Sequence, residues 1–176
     1  MSEERSGPAR ARVHATSIVL GGAALAFGGP DDIAVLLLGA AGSGKSDVAL
    51  RLIANGARLI ADDQTDLSVT GGRLYASAPS GANGMMEIRG SGIVRLDAAD
   101  AAPVVLAVEL EPVGIIARMP EPEFFVPQAL GPSAALPLVR LRPFEASTPA
   151  KIAAIASAIA RGRFVAGAAA DPSKDA

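Results

Sequence analysis

Apolar runs of strand length alternate along the chain with breaks marked by Gly and Pro. Val13–Leu20 reads as a first strand and Ala23–Phe27 as a second. The Gly28–Asp32 turn then leads into Ile33–Leu38, an unbroken apolar run with the pattern of a central strand buried on both faces. From Ser43 to Ala54 the apolar residues Val48, Leu50, Leu52 and Ile53 fall among helix-tolerant neighbours, and Asn55-Gly56 supplies a C-terminal stop. Arg58–Ala61 then reads as a short strand ending at Asp62-Asp63. This is strand, loop, helix and strand within about 30 residues, the length of a βαβ unit, with both strand ends pointing the same way. Asp66–Thr70 and Arg73–Ser77 flank Gly71-Gly72, the signal of a two-residue hairpin, so the sheet is expected to be mixed.

Further on, Met86–Arg89 and Ile93–Leu96 are short alternating pieces after the 79–84 loop, and Val104–Leu110 is another strand. Gly114–Met119 fits a helical turn or a loop. Residues 120–137 carry five prolines and are expected to be irregular and partly mobile. Leu138–Leu141 reads as a last strand, and Thr148-Pro149 opens a final helix over about 150–163 with Ile152, Ile155, Ala156 and Ile159 on one face. Residues 1–12 and 167–176 read as flexible tails around a folded body at 13–166. The fold class expected is α/β: a nucleotide-binding domain whose mixed central sheet is flanked by helices.

At 176 residues the chain suits one domain, and with half its residues hydrophobic it can bury a core. Sixteen basic against eighteen acidic residues leave a net charge of −2, so no broad basic field exists to hold nucleic acid. The absence of cysteine excludes disulfides and thiolate metal sites, and a single histidine excludes multi-histidine zinc. The N-terminus does not read as a secretory signal, and the longest apolar run falls well short of the ~20 residues that span a bilayer. A soluble, cytoplasmic protein without membrane contact is expected.

Gly39-Ala40-Ala41-Gly42-Ser43-Gly44-Lys45-Ser46 matches the phosphate-binding pattern G-x-x-x-x-G-K-[ST] (Walker A) at every fixed position, after a buried strand and before a helix. Glycines there let backbone N–H groups turn towards phosphate oxygens. Lys45 reaches the β- and γ-phosphates, and the Ser46 hydroxyl serves Mg²⁺ at a positive helix N-terminus. Such a loop needs an acidic partner near the metal. Asp62-Asp63 offers one or two carboxylates at the same sheet edge, although an acidic pair also makes an ordinary solvated turn. In Glu87-Ile88-Arg89 alternation puts Glu87 and Arg89 on one face, where they can hold a metal water and a phosphate or simply form an exposed ion pair. His14, in an apolar strand, is either a half-buried structural histidine or a site group.

The order of these pieces, an apolar strand opening with His14, then GAAGSGKSD at 39–47, ANGARLIADD at 54–63 and MEIRGSGIV at 86–94, resembles the catalytic domain of HPr kinase/phosphorylase. Enzymes of that family phosphorylate and dephosphorylate a serine on the phosphocarrier protein HPr. The resemblance is close over 13–100 and looser over 101–165, and it points to the compact form associated with alphaproteobacteria, which has no counterpart of the longer members' N-terminal domain. It implies that Gly39–Ser46 bind ATP, that Lys45 and Ser46 serve phosphates and Mg²⁺, and that Asp63 is the catalytic aspartate. Asp63 would act as base on the substrate serine and as acid in reverse. It further implies that Glu87 is a second Mg²⁺ contact beside the metal-side carboxylate Asp62, that His14 joins the site, and that Arg89 belongs to the signature. Arg118 matches an arginine used later in the family, and 140–151 resembles the loop associated with dephosphorylation. Expected partners are an HPr-like carrier, ATP, inorganic phosphate and further copies of the chain. Phosphate in the reverse direction needs a basic pocket, for which Arg89, Arg140 and Arg142 are candidates. Two other readings stand beside this one: a small-metabolite P-loop kinase, and a regulatory module that senses nucleotide or phosphate without transferring it.

Overall fold

A computed structural model describes residues 9–22, 26–30 and 32–165. Eleven strands are present among them: β1 (Arg10–Val13), β2 (Thr16–Leu20), β3 (Ile33–Leu38), β4 (Arg58–Ala61), β5 (Thr65–Thr70), β6 (Arg73–Ser77), β7 (Met85–Ile88), β8 (Gly92–Arg95), β9 (Ala101–Leu110), β10 (Glu123–Phe125) and β11 (Leu136–Leu141). The helices are α1 (Lys45–Ala54) and α2 (Thr148–Ala160). Residues 23–25 of the strand expected over Ala23–Phe27, and most of both expected tails, lie outside the described residues. No helix among the described residues is long and apolar enough to cross a membrane.

The main sheet runs β1-β5-β6-β9-β3-β2-β4, with β11 alongside β9 and β10 on β11; β7 and β8 form a separate hairpin. The sheet is mixed. β3 and β11 lie parallel to β9, whereas β2 is antiparallel to both of its neighbours, β3 and β4. The βαβ reading therefore needs one amendment. β3 and β4 do point the same way, but β2 is inserted between them, so the N-terminal end of β2 meets the C-terminal ends of β3 and β4 at one sheet edge. The residues just before and within β2 are thereby delivered to the edge where a loop–helix turn leaves β3.

β3 is buried at all six positions, as its unbroken apolar run requires of a strand covered on both faces. Val35 and Leu37 face a cluster with Ile18, Leu20, Leu106, Val108 and the helix residues Val48, Leu52, Ile152 and Ala156. Ala34, Leu36 and Leu38 face a second cluster with Leu67, Leu74, Ala134 and Leu136, to which neither helix contributes. The expected flanking helices thus both lie on one face. The other face is closed by the curled β5–β6 part of the sheet and the turns before β11. Single Leu→Ala changes in such cores cost about 2–5 kcal/mol.

Several boundaries move. The strand expected at Val13–Leu20 is two strands broken at His14-Ala15, and Arg10–Arg12, expected in the tail, pair with Asp66–Ser68. The 120–137 stretch contains β10, an edge strand with prolines on either side, and two single 3-10 turns. Gly114–Met119 is a loop.

Candidate active site

The loop between β3 and α1 is built around glycines in left-handed backbone: Gly39 at φ 133, Gly42 at φ 79 and Gly44 at φ 95. At Gly39 the requirement is also spatial, because a Cβ there would stand 2.5 Å from Ser43 Oγ and 3.0 Å from the Leu110 carbonyl oxygen. Gly44 is the N-cap of α1 and gives it no side-chain cap, so the first N–H groups of the helix remain available to an anion. The Lys45 ammonium lies across the loop, donating to the Gly39 and Ala40 carbonyl oxygens at 2.8 and 3.0 Å.

β4 ends at Ala61 and delivers Asp62 to the same edge. Asp62 Oδ1 accepts hydrogen bonds from Ser46 Oγ on α1 and Thr16 Oγ1 on β2, both at 2.9 Å, and Oδ2 lies 3.4 Å from the Glu87 backbone N–H. Successive residues of an extended strand point to opposite faces. Asp63 escapes that alternation by leaving the strand with φ 67, a conformation uncommon outside glycine but more accessible to Asp and Asn. Its Oδ1 lies 2.9 Å from His14 Nε2, with both side chains largely open to solvent.

These groups converge on one cleft of about 860 Å³. Its walls are the 41–47 turn, His14 and Thr16 from the β2 end, Asp62 and Asp63, the Ser80–Ala82 loop, and the β7–β8 hairpin with Glu87 and Arg89. Of the residues expected in the site, His14, Ala41, Gly42, Gly44, Lys45, Ser46, Asp62, Asp63, Glu87 and Arg89 line this cleft. Gly39, Ala40 and Ser43 shape the loop from behind it, and the buried Ser43 Oγ has no hydrogen-bond partner among the described residues. Arg118, exposed in the 112–122 connection, is not among the lining residues.

Two other arginines named for a phosphate pocket are engaged elsewhere. Arg140 is clasped between Glu111, at 2.5 Å, and Glu123, at 2.7 Å. Those hydrogen bonds raise its pKa above the ordinary value and pull that of Glu123 down. Arg142 donates to the backbone carbonyls of Glu111 and Gly114. Sequence reading missed Thr16, which looks like any β-forming residue, and Phe144. The latter sits in the 140–151 segment and brings its ring over Gly44, where a Cβ would stand 3.2 Å from Cε1; it forms part of the cleft wall.

Chemically, the edge combines an uncapped helix N-terminus, an ammonium group, a hydroxyl and a carboxylate in contact, and a second carboxylate beside an imidazole. Among the described residues no three His, Asp or Glu side chains gather into a metal cage of their own. The oxygen donors Ser46 and Asp62 instead suit Mg²⁺, which keeps several waters and is commonly held by one or two carboxylates together with substrate phosphates.

Known proteins resemble this chain in sequence and in fold. Residues 29–104 match the family described as HPr Serine kinase C-terminal domain, a span that contains the 39–46 loop, the Asp62-Asp63 pair and the Glu87–Arg89 block. The HPr kinase/phosphorylase of Clostridium tetani is 38% identical over 87 residues, covering 49% of this chain and 28% of that protein. That of Brevibacillus brevis is 45% identical over 65 residues, covering 36% and 21%. The chain thus spans less than a third of the length of these curated relatives. The solved structure of the Hpr(Ser) kinase/phosphatase from Coxiella burnetii superposes with a TM-score of 0.63 at 27% identity, over 81% of this chain and 91% of that one. The chain is therefore similar to HPr kinase/phosphorylase, in sequence over 29–104 and in fold to a solved kinase/phosphatase of that name.

Proposed function

We propose that this protein is an ATP- and Mg²⁺-dependent protein serine kinase acting on HPr or a related phosphocarrier, and that it also runs the reverse, phosphate-dependent dephosphorylation. The observation that carries this reading is the convergence of Lys45, Ser46, Asp62, Asp63 and Glu87 on one cleft at an uncapped helix N-terminus.

Phosphoryl transfer needs positioning and charge neutralisation more than covalent help from the protein. The N–H groups of the 41–46 turn cradle the nucleotide phosphates, and Lys45 exchanges its two loop carbonyls for the β- and γ-oxygens. Ser46 and Asp62, with Glu87 beside them, would hold Mg²⁺, which when bound neutralises charge on the phosphates. Asp63 orients the serine hydroxyl of the carrier and takes its proton. His14, 2.9 Å away, steadies the carboxylate in the open part of the cleft. In the reverse direction inorganic phosphate takes the place of the attacking alcohol, Asp63 returns the proton to the serine oxygen, and Arg89, which lines the cleft, attracts the phosphate.

Intact-mass spectrometry of a serine-bearing HPr, incubated with the protein and Mg·ATP beside a Lys45→Ala control, tests the reading. It predicts a gain of one phosphate on the carrier that the control lacks. A carrier of unchanged mass despite bound ATP would overturn the kinase assignment in favour of a module that senses nucleotide.

A further inference from the structure

Thr16 is fully buried in β2, and its backbone is already occupied in pairing with Leu37 of β3. The next residues of the same parity, Ile18 and Leu20, belong to the apolar cluster beneath α1, so packing alone would accept a valine at this position. The chain instead carries a hydroxyl there, and it donates to Asp62 Oδ1 at 2.9 Å. The same oxygen accepts a hydrogen bond from Ser46 Oγ, on α1, at the same distance.

The two donors differ in what else they do. Ser46 stands on the first turn of α1 and faces nucleotide and cation in the proposed reaction, so its geometry must change as ligands come and go. Thr16 is held in β2 by its pairing with Leu37 of β3, next to Ser17, which also pairs with Ala61 of β4, and has no such freedom. A carboxylate held from α1 alone can swing with the helix end, whereas one also held from β2 keeps its orientation whether the cleft is full or empty. Preorganised ligand carboxylates bind cations more tightly, and loss of their hydrogen-bonding partners typically weakens metal affinity 10–100-fold.

We propose that Thr16 is a positioning residue: its hydroxyl fixes Asp62 for the divalent cation that accompanies the nucleotide. The proposal rests on the reading of the cleft as a Mg²⁺–nucleotide site and names a residue through which that site is set.

The test is a Mg²⁺ titration of the binding of a fluorescent ADP analogue, without any carrier, for the unaltered chain, Thr16→Val, Thr16→Ala and Thr16→Ser, with thermal melts in the absence of Mg²⁺. The Val and Ala variants should need about tenfold more Mg²⁺ to reach half-saturation, while their affinity for the analogue without metal stays within about twofold. Thr16→Ser, which restores the hydroxyl, should return the midpoint to near that of the unaltered chain. Should Val fail to fold, the Ala–Ser pair decides. An unchanged Mg²⁺ midpoint in the variants lacking the hydroxyl, or an equal shift in Thr16→Ser, would overturn the role of Thr16 and leave the functional reading standing. Binding of the analogue by the unaltered chain with no dependence on Mg²⁺ would overturn both.

Discussion

His14 Nε2 stands 2.9 Å from Asp63 Oδ1, a contact between residues 49 positions apart that exists because β2 enters the sheet where β4 leaves it. Asp63 also occupies a left-handed backbone conformation that Asn tolerates, so Asp63→Asn should fold normally and remove only the proton acceptor of the proposed reaction. Loss of a general base costs about 10²–10⁴-fold. Steady-state phosphorylation of the carrier by Asp63→Asn should fall within that range, with ADP affinity nearly unchanged. His14→Ala, which leaves the carboxylate in place but unsteadied, should lose less. A fully active Asp63→Asn enzyme would remove Asp63 from the chemistry.

Among the described residues the Lys45 ammonium bonds only to the Gly39 and Ala40 carbonyls, which other donors or water can satisfy in a partly open loop. Lys45→Ala should therefore leave the melting temperature of the ligand-free protein close to that of the unaltered chain. ADP affinity should drop at least about tenfold, the scale of one or two charge-assisted hydrogen bonds. Calorimetry with ADP and a thermal melt on the same sample separate the two effects.

What could be read from the sequence was local. The 39–46 loop, α1, the Asp62-Asp63 pair and the β5–β6 hairpin at Gly71-Gly72 are all specified by residues near one another, and each stands where the pattern puts it. What escaped depends on distant partners. Thr16 becomes a site residue only because Asp62, 46 positions later, arrives beside it. Arg10–Val13 is a strand because β5 offers it an edge and Asp66 pairs with Arg12 across 54 residues. Arg140, a phosphate candidate by its sequence position, is held between Glu111 and Glu123 in the fold. The 120–137 prolines lead one to expect irregular chain, yet the edge strand β10 lies between them and β11 begins at Leu136 and takes in Pro137, because a proline at an edge or at the start of a strand loses no ladder hydrogen bond.

The glycines of the loop should rank by the space around them. Gly39→Ala would force a Cβ to 2.5 Å from Ser43 Oγ and 3.0 Å from a backbone carbonyl at φ 133, and Gly44→Ala to 2.9 Å from Pro143 Cβ at φ 95. Gly42→Ala meets nothing within 4 Å and carries only the conformational cost of φ 79, about 1 kcal/mol. Urea midpoints should therefore fall least for Gly42→Ala and most for Gly39→Ala. Gly42→Ala should nonetheless weaken ADP binding, because the added methyl sits on the turn that lines the cleft.

Acid should loosen two joints of the sheet. The Arg12 guanidinium lowers the pKa of Asp66 where β1 meets β5, and Arg140 lowers that of Glu123 where β10 meets β11. A carboxyl whose folded pKa lies below its unfolded one, about 3.9 for Asp and 4.3 for Glu, contributes stability that is complete above the unfolded value. That contribution fades as pH falls through the unfolded value and is gone below the folded one. Melting temperatures recorded from pH 7 down to pH 3 should thus decline more steeply for the unaltered chain than for Asp66→Asn/Glu123→Gln, the two curves converging at the acid end. Because Arg12 is exposed and Glu123 is partly exposed, the separation at neutral pH should be small and should shrink further in high salt. Parallel curves across the whole range would mean that neither pair ties its strands together.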